Sequence, residues 1–392
     1  MPPTLHPFFV TCEPGAEGAL RRELVNLRIR GPKGARAGVF FRGTFEEGMR
    51  ICLHARTAMR VLLELAAFDA SSAESLYEAV YELPWQDHLG ADHTFAVRAQ
   101  VSGSAAFTNS QFAALKAKDA IVDRLRVQLG RRPNVDPRDP DLQVALHVNG
   151  TQGRLFLDLA GAPLHRRGYR VSMTEAPLKE TLAASVLALG NVSPEAPFLD
   201  PMAGSGTLAI EHALRARHKA PGLDRSFGFE RWPSLTMRSE WTSMKEAARA
   251  AVLPRAPAPI WVRDHDPAAL EALRENAAAA GVLGDLQVET AALSRLTAPA
   301  PQGTLCTNPP YGERLDRGTS GHDDVARDLA LALHRVWGWA AVVLVPDPLF
   351  ARTLTVRPAF SHRLWNGGLE VRLMRFELGT AAATDDRKAR DS

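Results

Sequence analysis

Two stretches of the chain hold residues whose types and spacing could do chemistry. The first is Phe198-Leu199-Asp200-Pro201-Met202-Ala203-Gly204-Ser205-Gly206-Thr207, a short apolar run that breaks into small residues before a helical pattern resumes from Leu208 to Arg217. It predicts a strand, a tight loop and a helix. Pro201 stops the strand ladder, and Gly204 and Gly206 give the backbone the freedom and the missing side chains that let a ligand approach the main chain. Doubly wound α/β domains bind nucleotide-like ligands at a first βα turn of this kind, although an ordinary βα connection can look the same. The second stretch is more specific: Leu305-Cys306-Thr307-Asn308-Pro309-Pro310-Tyr311-Gly312. Two donor-less residues at a strand end leave backbone carbonyls with neither ladder nor helix to enter. Those free acceptors suit the N–H bonds of an amino group, and Tyr311 offers a flat face for a ring.

A third candidate lies between them. Trp261-Val262-Arg263-Asp264-His265-Asp266-Pro267 reads as a strand ending in acid, with Asp266 as N-cap and Pro267 at the first helical position. Asp264 is then the free carboxylate, placed to accept both hydroxyls of a ribose. The stretch from Ala216 to Pro259 makes the spacing from the glycine turn long, so it is expected to be an insertion outside the sheet.

The elements that must position these residues fit a chain of 392 residues, enough for two or three domains with full cores. Hydrophobic residues make up 45% and charged ones 23%, as in a soluble globular protein, and no apolar run could cross a bilayer. A cytoplasmic location without membrane attachment is expected. Cys12, Cys52 and Cys306 fit neither a disulfide framework nor a zinc spacing, so reduced, buried thiols and no metal are expected. Net charge is only +3, so an anionic partner needs a local patch. One lies between Arg98 and Arg132, with Lys116, Lys118, Arg124, Arg126 and Arg131 against Asp119 and Asp123. A solvated helix face is the alternative reading of such a cluster.

The N-terminal third reads as two small α+β units. Strands are expected at Phe8–Thr11, Val39–Arg42 and Arg60–Leu65, and helices at Glu13–Leu27 and Thr44–Leu53, the latter with a capping box from Thr44 and Glu47. A helix at Ser72–Leu83, a strand at Thr94–Ala99, an amphipathic helix at Asn109–Leu129 and strands at Leu142–Val148 and Leu155–Leu159 follow.

Phe107 to Lys118 with Asp119-Ala120-Ile121, then Arg132-Pro133-Asn134-Val135-Asp136, resembles a THUMP domain, an RNA-binding module of RNA-modifying enzymes. The unit before it resembles the ferredoxin-like domain that usually precedes THUMP. Leu164-His165-Arg166-Arg167-Gly168-Tyr169-Arg170, Ala176-Pro177-Leu178-Lys179-Glu180, Ala220-Pro221-Gly222-Leu223-Asp224-Arg225, the two chemical loops and Trp365-Asn366-Gly367-Gly368 resemble bacterial THUMP-containing guanine-N2 RNA methyltransferases, notably those of large-subunit ribosomal RNA. The resemblance implies an α/β protein: ferredoxin-like residues 1–66, THUMP 67–163, a linker and Rossmann-like domain with a mostly parallel seven-stranded sheet over 164–380, and a disordered tail over 381–392.

The implied activity is S-adenosylmethionine-dependent methylation of the exocyclic N2 of guanosine in structured RNA. 23S rRNA is the expected substrate, tRNA the alternative, and a monomer the expected state. The resemblance gives Asp200, Met202, Ala203, Gly204, Gly206, Thr207, Asp264, His265 and Asn308 to the cofactor, and Asn308, Pro309, Pro310 and Tyr311 to catalysis. Arg98, Lys116, Lys118, Arg131 and Arg132 are the RNA-binding candidates. One position departs from the pattern: Leu286–Leu293 offers no Asp after the third strand for the adenine amino group, leaving Glu289 or backbone groups. The same Asn-Pro-Pro-Tyr loop serves adenine-N6 methyltransferases of DNA and glutamine methyltransferases of proteins, and a non-catalytic RNA-binding or ribosome-assembly factor is a further alternative.

Overall fold

The computed structural model describes residues 4–172, 177–310 and 319–379. These form two compact units. One contains the residues up to Cys12, Arg21–Leu164 and Asp224–Ala247, and the other Glu13–Leu20, His165–Leu223 and the residues from Ala248 onward.

Through the N-terminal region the elements are β1 (His6–Thr11), α1 (Glu17–Asn26), β2 (Lys33–Ala35), β3 (Gly38–Gly43), α2 (Phe45–His54), β4 (Arg60–Asp69), α3 (Ala73–Tyr81), β5 (Thr94–Ser102), α4 (Ser110–Leu129), β6 (Asn134–Val135), β7 (Leu142–Asn149) and β8 (Gln152–Asp158). The expected capping box forms: the Glu47 N–H donates to Thr44 Oγ1 at 3.2 Å and the Thr44 N–H to Glu47 Oε2 at 2.8 Å. The strands do not stay in two small sheets. They join in one eight-stranded sheet of order β2-β3-β1-β4-β8-β7-β5-β6. The join is β4, which continues past Leu65 through a bulge between Glu64 and Ala66 and pairs antiparallel with β8 from Leu62↔Asp158 to Asp69↔Gln152. The expected division at 66/67 falls inside this strand.

An ion pair between half-buried Arg60 and buried Asp158 closes one end of that seam. The Arg60 guanidinium donates to the Asp158 carboxylate, whose other oxygen accepts the Ala160 N–H at 3.0 Å. Burial pushes the Asp158 carboxyl up, and the arginine offsets only part of that rise.

The second unit carries α5 (Glu180–Leu189), β9 (Phe198–Asp200) and α6 (Thr207–Ala216) and then, after α7 (Arg238–Ala250), most of which clusters with the first unit, β10 (Ile260–Asp264), α8 (Pro267–Ala280), β11 (Leu286–Thr290), β12 (Gly303–Thr307), α9 (Thr319–Leu333), β13 (Trp339–Val345), α10 (Pro348–Thr353), β14 (Phe360–Asn366) and β15 (Leu369–Glu377). Its seven strands run β11-β10-β9-β12-β13-β15-β14. The first five are mutually parallel, and β15 runs antiparallel between β13 and the edge strand β14. All seven residues of β13, Trp-Ala-Ala-Val-Val-Leu-Val, are buried, as a strand covered on both faces requires. Residues 217–259 add no strand, and Asp224–Ala247 clusters with the first unit, so the expected insertion does lie outside this sheet. The chain order reverses beside β9, which has β10 on one side and β12 on the other. That is a topological switch point, and it opens a crevice at the strands' carboxyl ends. No helix among the described residues is long and apolar enough to cross a membrane.

Removing the partner of a buried carboxylate leaves an uncompensated charge. Arg60→Met is expected to destabilise the first unit by about 3 kcal/mol or more. The deficit relative to wild type should shrink as pH falls and the stranded carboxyl takes up a proton. Urea unfolding across pH checks this, and a deficit independent of pH would contradict it.

Candidate active site

β9 and β12 bring the two chemical stretches together. Leu199 pairs with Leu305 across the parallel ladder, so Asp200 and Asn308 emerge at neighbouring strand ends. They line one pocket with Met202, Ala203, Gly204, Ser205, Thr207, Leu208, Pro177 and Leu178, around an empty volume of about 350 Å³ that includes open solvent. Six expected cofactor residues thus share one cavity. Gly206 stands behind it.

Hydrogen bonds to its neighbours fix the glycine turn. The Ala203 N–H donates to the Arg263 carbonyl at 3.0 Å, and the Gly206 N–H to the Ala203 carbonyl at 2.9 Å. Gly204 has φ +53° with open space where a Cβ would stand, so its backbone faces the cavity bare. Gly206 has φ +85°, and a Cβ there would lie 2.6 Å from Leu273 Cγ. One glycine serves the cavity and the other lets α6 pack on α8.

Asp264 departs from the expected free carboxylate. It is buried, with Oδ2 accepting the Gly204 N–H at 2.8 Å and Oδ1 accepting the Asp266 N–H at 3.0 Å. The reason is tertiary: Gly204, sixty positions earlier in the chain, arrives over the end of β10 with an N–H that no ladder takes. A carboxylate has about four lone-pair sites, so Asp264 retains acceptor capacity. His265 is exposed, with Nδ1 3.2 Å from Asp264 Oδ1. Asp266 caps α8 as expected, accepting the Ala268 N–H at 2.9 Å. Glu289, on the edge strand β11, is held by Arg263 Nε at 2.8 Å.

Asn308 is also buried, and its Oδ1 has no hydrogen-bond partner among the described residues. A buried acceptor left open costs stability, which makes it a candidate for ligand contact. Pro309 is buried and Pro310 half-buried. Tyr311 lies outside the described residues. Asp200 is buried as well, with Oδ1 accepting the Met202 N–H at 3.3 Å.

Sequence reasoning missed Pro177, Leu178, Ser205 and Leu208 as lining residues. Pro177 and Leu178 belong to a stretch noticed only for its resemblance, and spacing gave no sign that it folds onto the glycine turn. Arg170 fastens it there, donating to Glu180 Oε1 at 2.9 Å, the Leu178 carbonyl at 2.9 Å and Thr207 Oγ1 at 3.2 Å.

The RNA candidates all belong to the first unit. Arg98 is exposed on β5 and Arg132 follows α4. Lys118 is 2.8 Å from Asp119 and Arg131 is 3.1 Å from Asp92, while Lys116 Nζ lies 5.8 Å from the Phe112 ring centroid. Phe112 and Leu115 are exposed beside them. The cluster is therefore partly self-neutralised. The three cysteines are buried and unbridged as expected, and the described residues contain no group of three or more His, Cys, Asp or Glu able to hold a metal.

Comparison with known proteins covers the whole organisation. A model of the RMKL-like methyltransferase domain matches residues 167–373, a THUMP domain model residues 70–158 and an RlmL ferredoxin-like domain model residues 7–62. The ribosomal RNA large subunit methyltransferase K/L of Syntrophotalea carbinolica is 41% identical over 95% of this chain and 53% of its own length. The chain thus spans about half the length of the curated relatives it matches. The crystal structure of SMU.472, a putative methyltransferase complexed with SAH, superposes with a TM-score of 0.87 at 29% identity over 96% of this chain and 98% of that one. A predicted N6-adenine-specific DNA methylase from Listeria monocytogenes str. 4b F2365 gives 0.84 at 27% identity over 95% and 96%.

Burial pushes the Asp200 carboxyl up to about 7 against the Met202 N–H, and the Asp264 carboxylate adds a smaller push the same way. Between an ordinary carboxyl value of about 4 and about 7, the folded state therefore holds a proton that the unfolded state has lost. Stability falls as pH rises through that window. Asp200→Asn, which removes the penalty, is expected to raise the melting temperature more at about pH 8 than at about pH 4. Melts of both proteins at both pH values decide it, and an equal gain would contradict the assignment.

Proposed function

The chain belongs to the RMKL-like methyltransferase family, and on that premise we propose that it methylates the exocyclic N2 of a guanosine in structured RNA, most specifically 23S rRNA, with S-adenosylmethionine as donor. The observation that carries this reading is the open, buried Oδ1 of Asn308 in the same cavity as the bare Gly204 backbone. The cofactor, when bound, supplies an electrophilic methyl group on a sulfonium. Gly204 and Thr207 would lie along it, and the remaining lone pairs of Asp264 would take its ribose hydroxyls. Because Arg263 holds Glu289, backbone groups after β11 are the better candidates for its adenine amine.

The guanine amine is a poor nucleophile because its lone pair is delocalised into the ring. Asn308 Oδ1 and the Pro309 carbonyl would each accept one amine N–H, favouring a pyramidal nitrogen whose lone pair points into the cavity. That is positioning and preorganised polarity, with no strong base required. Tyr311 would stack on the base once it is extruded from its helix. The THUMP domain favours RNA over the DNA substrate in the Listeria neighbour's description, and we place the enzyme in the cytoplasm as a monomer. The part of the K/L relatives that this chain does not match has no share in the proposal.

Two outcomes test this. Asn308→Ala should lower single-turnover methyl transfer to RNA by about a hundredfold or more while RNA binding changes little. A variant that melts and transfers like wild type would defeat the proposal. Reversing Lys116 and Lys118 to Glu should weaken RNA binding and make log affinity less steep against log salt, because fewer counterions are released. The Lys118–Asp119 contact makes Lys116 the stronger contributor, and an unchanged slope would return the cluster to a solvated helix face.

A further inference from the structure

Asn276 lies in the middle of α8 and is 1% exposed. Its amide is fully used. Oδ1 accepts the Val171 and Ser172 N–H groups, both at 2.9 Å, and Nδ2 donates to the Ser172 carbonyl at 2.9 Å and the Ser205 carbonyl at 3.3 Å. Those four bonds tie two stretches that are far apart in sequence. One is the segment that leads toward the Pro177–Leu178 wall of the cavity. The other is the peptide between Gly204 and Gly206.

We propose that Asn276 is a positioning residue for the cofactor, fixing the Ser205 peptide and the Val171–Ser172 strand of chain in the one mutual arrangement that leaves the cavity open to S-adenosylmethionine. Asn276 does not line the cavity, so it acts through Ser205, which does. Gly204 and Gly206 leave the turn many conformations, and capture of the carbonyl between them selects one. The Gly204 N–H on Asp264 holds the Ala203–Gly204 peptide, so the peptides on either side of the Gly204–Ser205 unit are fixed, one from β10 and the other from α8. An amide is the side chain that fits: two acceptor sites face two N–H groups and two N–H bonds face two carbonyls.

The proposal rests on reading the cavity as the cofactor site. Its test is the Asn276→Asp variant of the full chain, titrated with S-adenosylhomocysteine by calorimetry. An ionised carboxyl keeps the acceptors for Val171 and Ser172 but turns oxygen toward the Ser172 and Ser205 carbonyls. Affinity should fall about tenfold or more at about pH 8. As pH is lowered the introduced carboxyl is protonated and regains one donor, so the ratio of wild-type to variant affinity should shrink toward about pH 5. Taking the ratio at each pH cancels the titration of Asp200, and Glu275, whose carboxylate accepts the Ser172 hydroxyl, is common to both proteins. At saturating cofactor the variant's kcat should approach wild type, which places the defect in cofactor binding. Equal affinities, or a lowered melting temperature with no pH-dependent affinity ratio, would reduce Asn276 to a scaffold contact. Where the aspartate variant does not fold, Asn276→Ser carries the same test, with weaker binding expected and wild-type affinity overturning the proposal. Failure of the wild-type chain itself to bind would bring down the cofactor reading and this inference together.

Discussion

The hydrogen bond from the Gly204 amide to the Asp264 carboxylate is the interaction on which the second unit's chemistry depends. It joins the end of β10 to the loop leaving β9, its neighbour in the sheet, and holds a glycine in a left-handed conformation with its open side toward the cavity. Around it, other side chains also reach backbone: Asn276 to Ser205, Arg170 to Leu178, Asp200 to Met202. A loop built from small residues has little packing of its own. Polar anchors with fixed geometry replace it, at the cost of burying carboxylates.

That cost is visible at Asp200, whose carboxyl is pushed up to about 7 because burial disfavours its charge. Asn308 repeats the pattern with an uncharged group, since its open Oδ1 is a local deficit in the folded protein. Stability is given up at the two neighbouring strand ends where the sheet order reverses. At β13 the same sheet is dry, with all seven residues buried. Such a division between a packed scaffold and an under-satisfied cleft is what pre-organised binding requires.

Much of this was legible in the sequence because it rests on local rules. The glycine turn, the Asn-Pro-Pro loop, the Asp266–Pro267 helix start and the Thr44 capping box involve residues close in sequence, and each formed where expected. The pairing of β4 with β8 was not legible, since a strand's register with a distant partner is set by tertiary packing. Asp264 looked free because its donor arrives from sixty positions away in the chain. Asn276 was invisible for a similar reason: within Glu-Ala-Leu-Arg-Glu-Asn-Ala-Ala it reads as an indifferent helix residue, and only the fold brings Ser172 and Ser205 to it. The Arg98–Arg132 cluster looked more basic than it is because the sequence does not show that Lys118 and Arg131 stand against aspartates.

The most direct test of the account is the identity of the methylated nucleoside. Incubating the protein with 23S rRNA and methyl-labelled S-adenosylmethionine, then digesting the RNA for nucleoside mass spectrometry, should give label in N2-methylguanosine. Label in N6-methyladenosine, or in no nucleoside while the protein binds the cofactor, would contradict it.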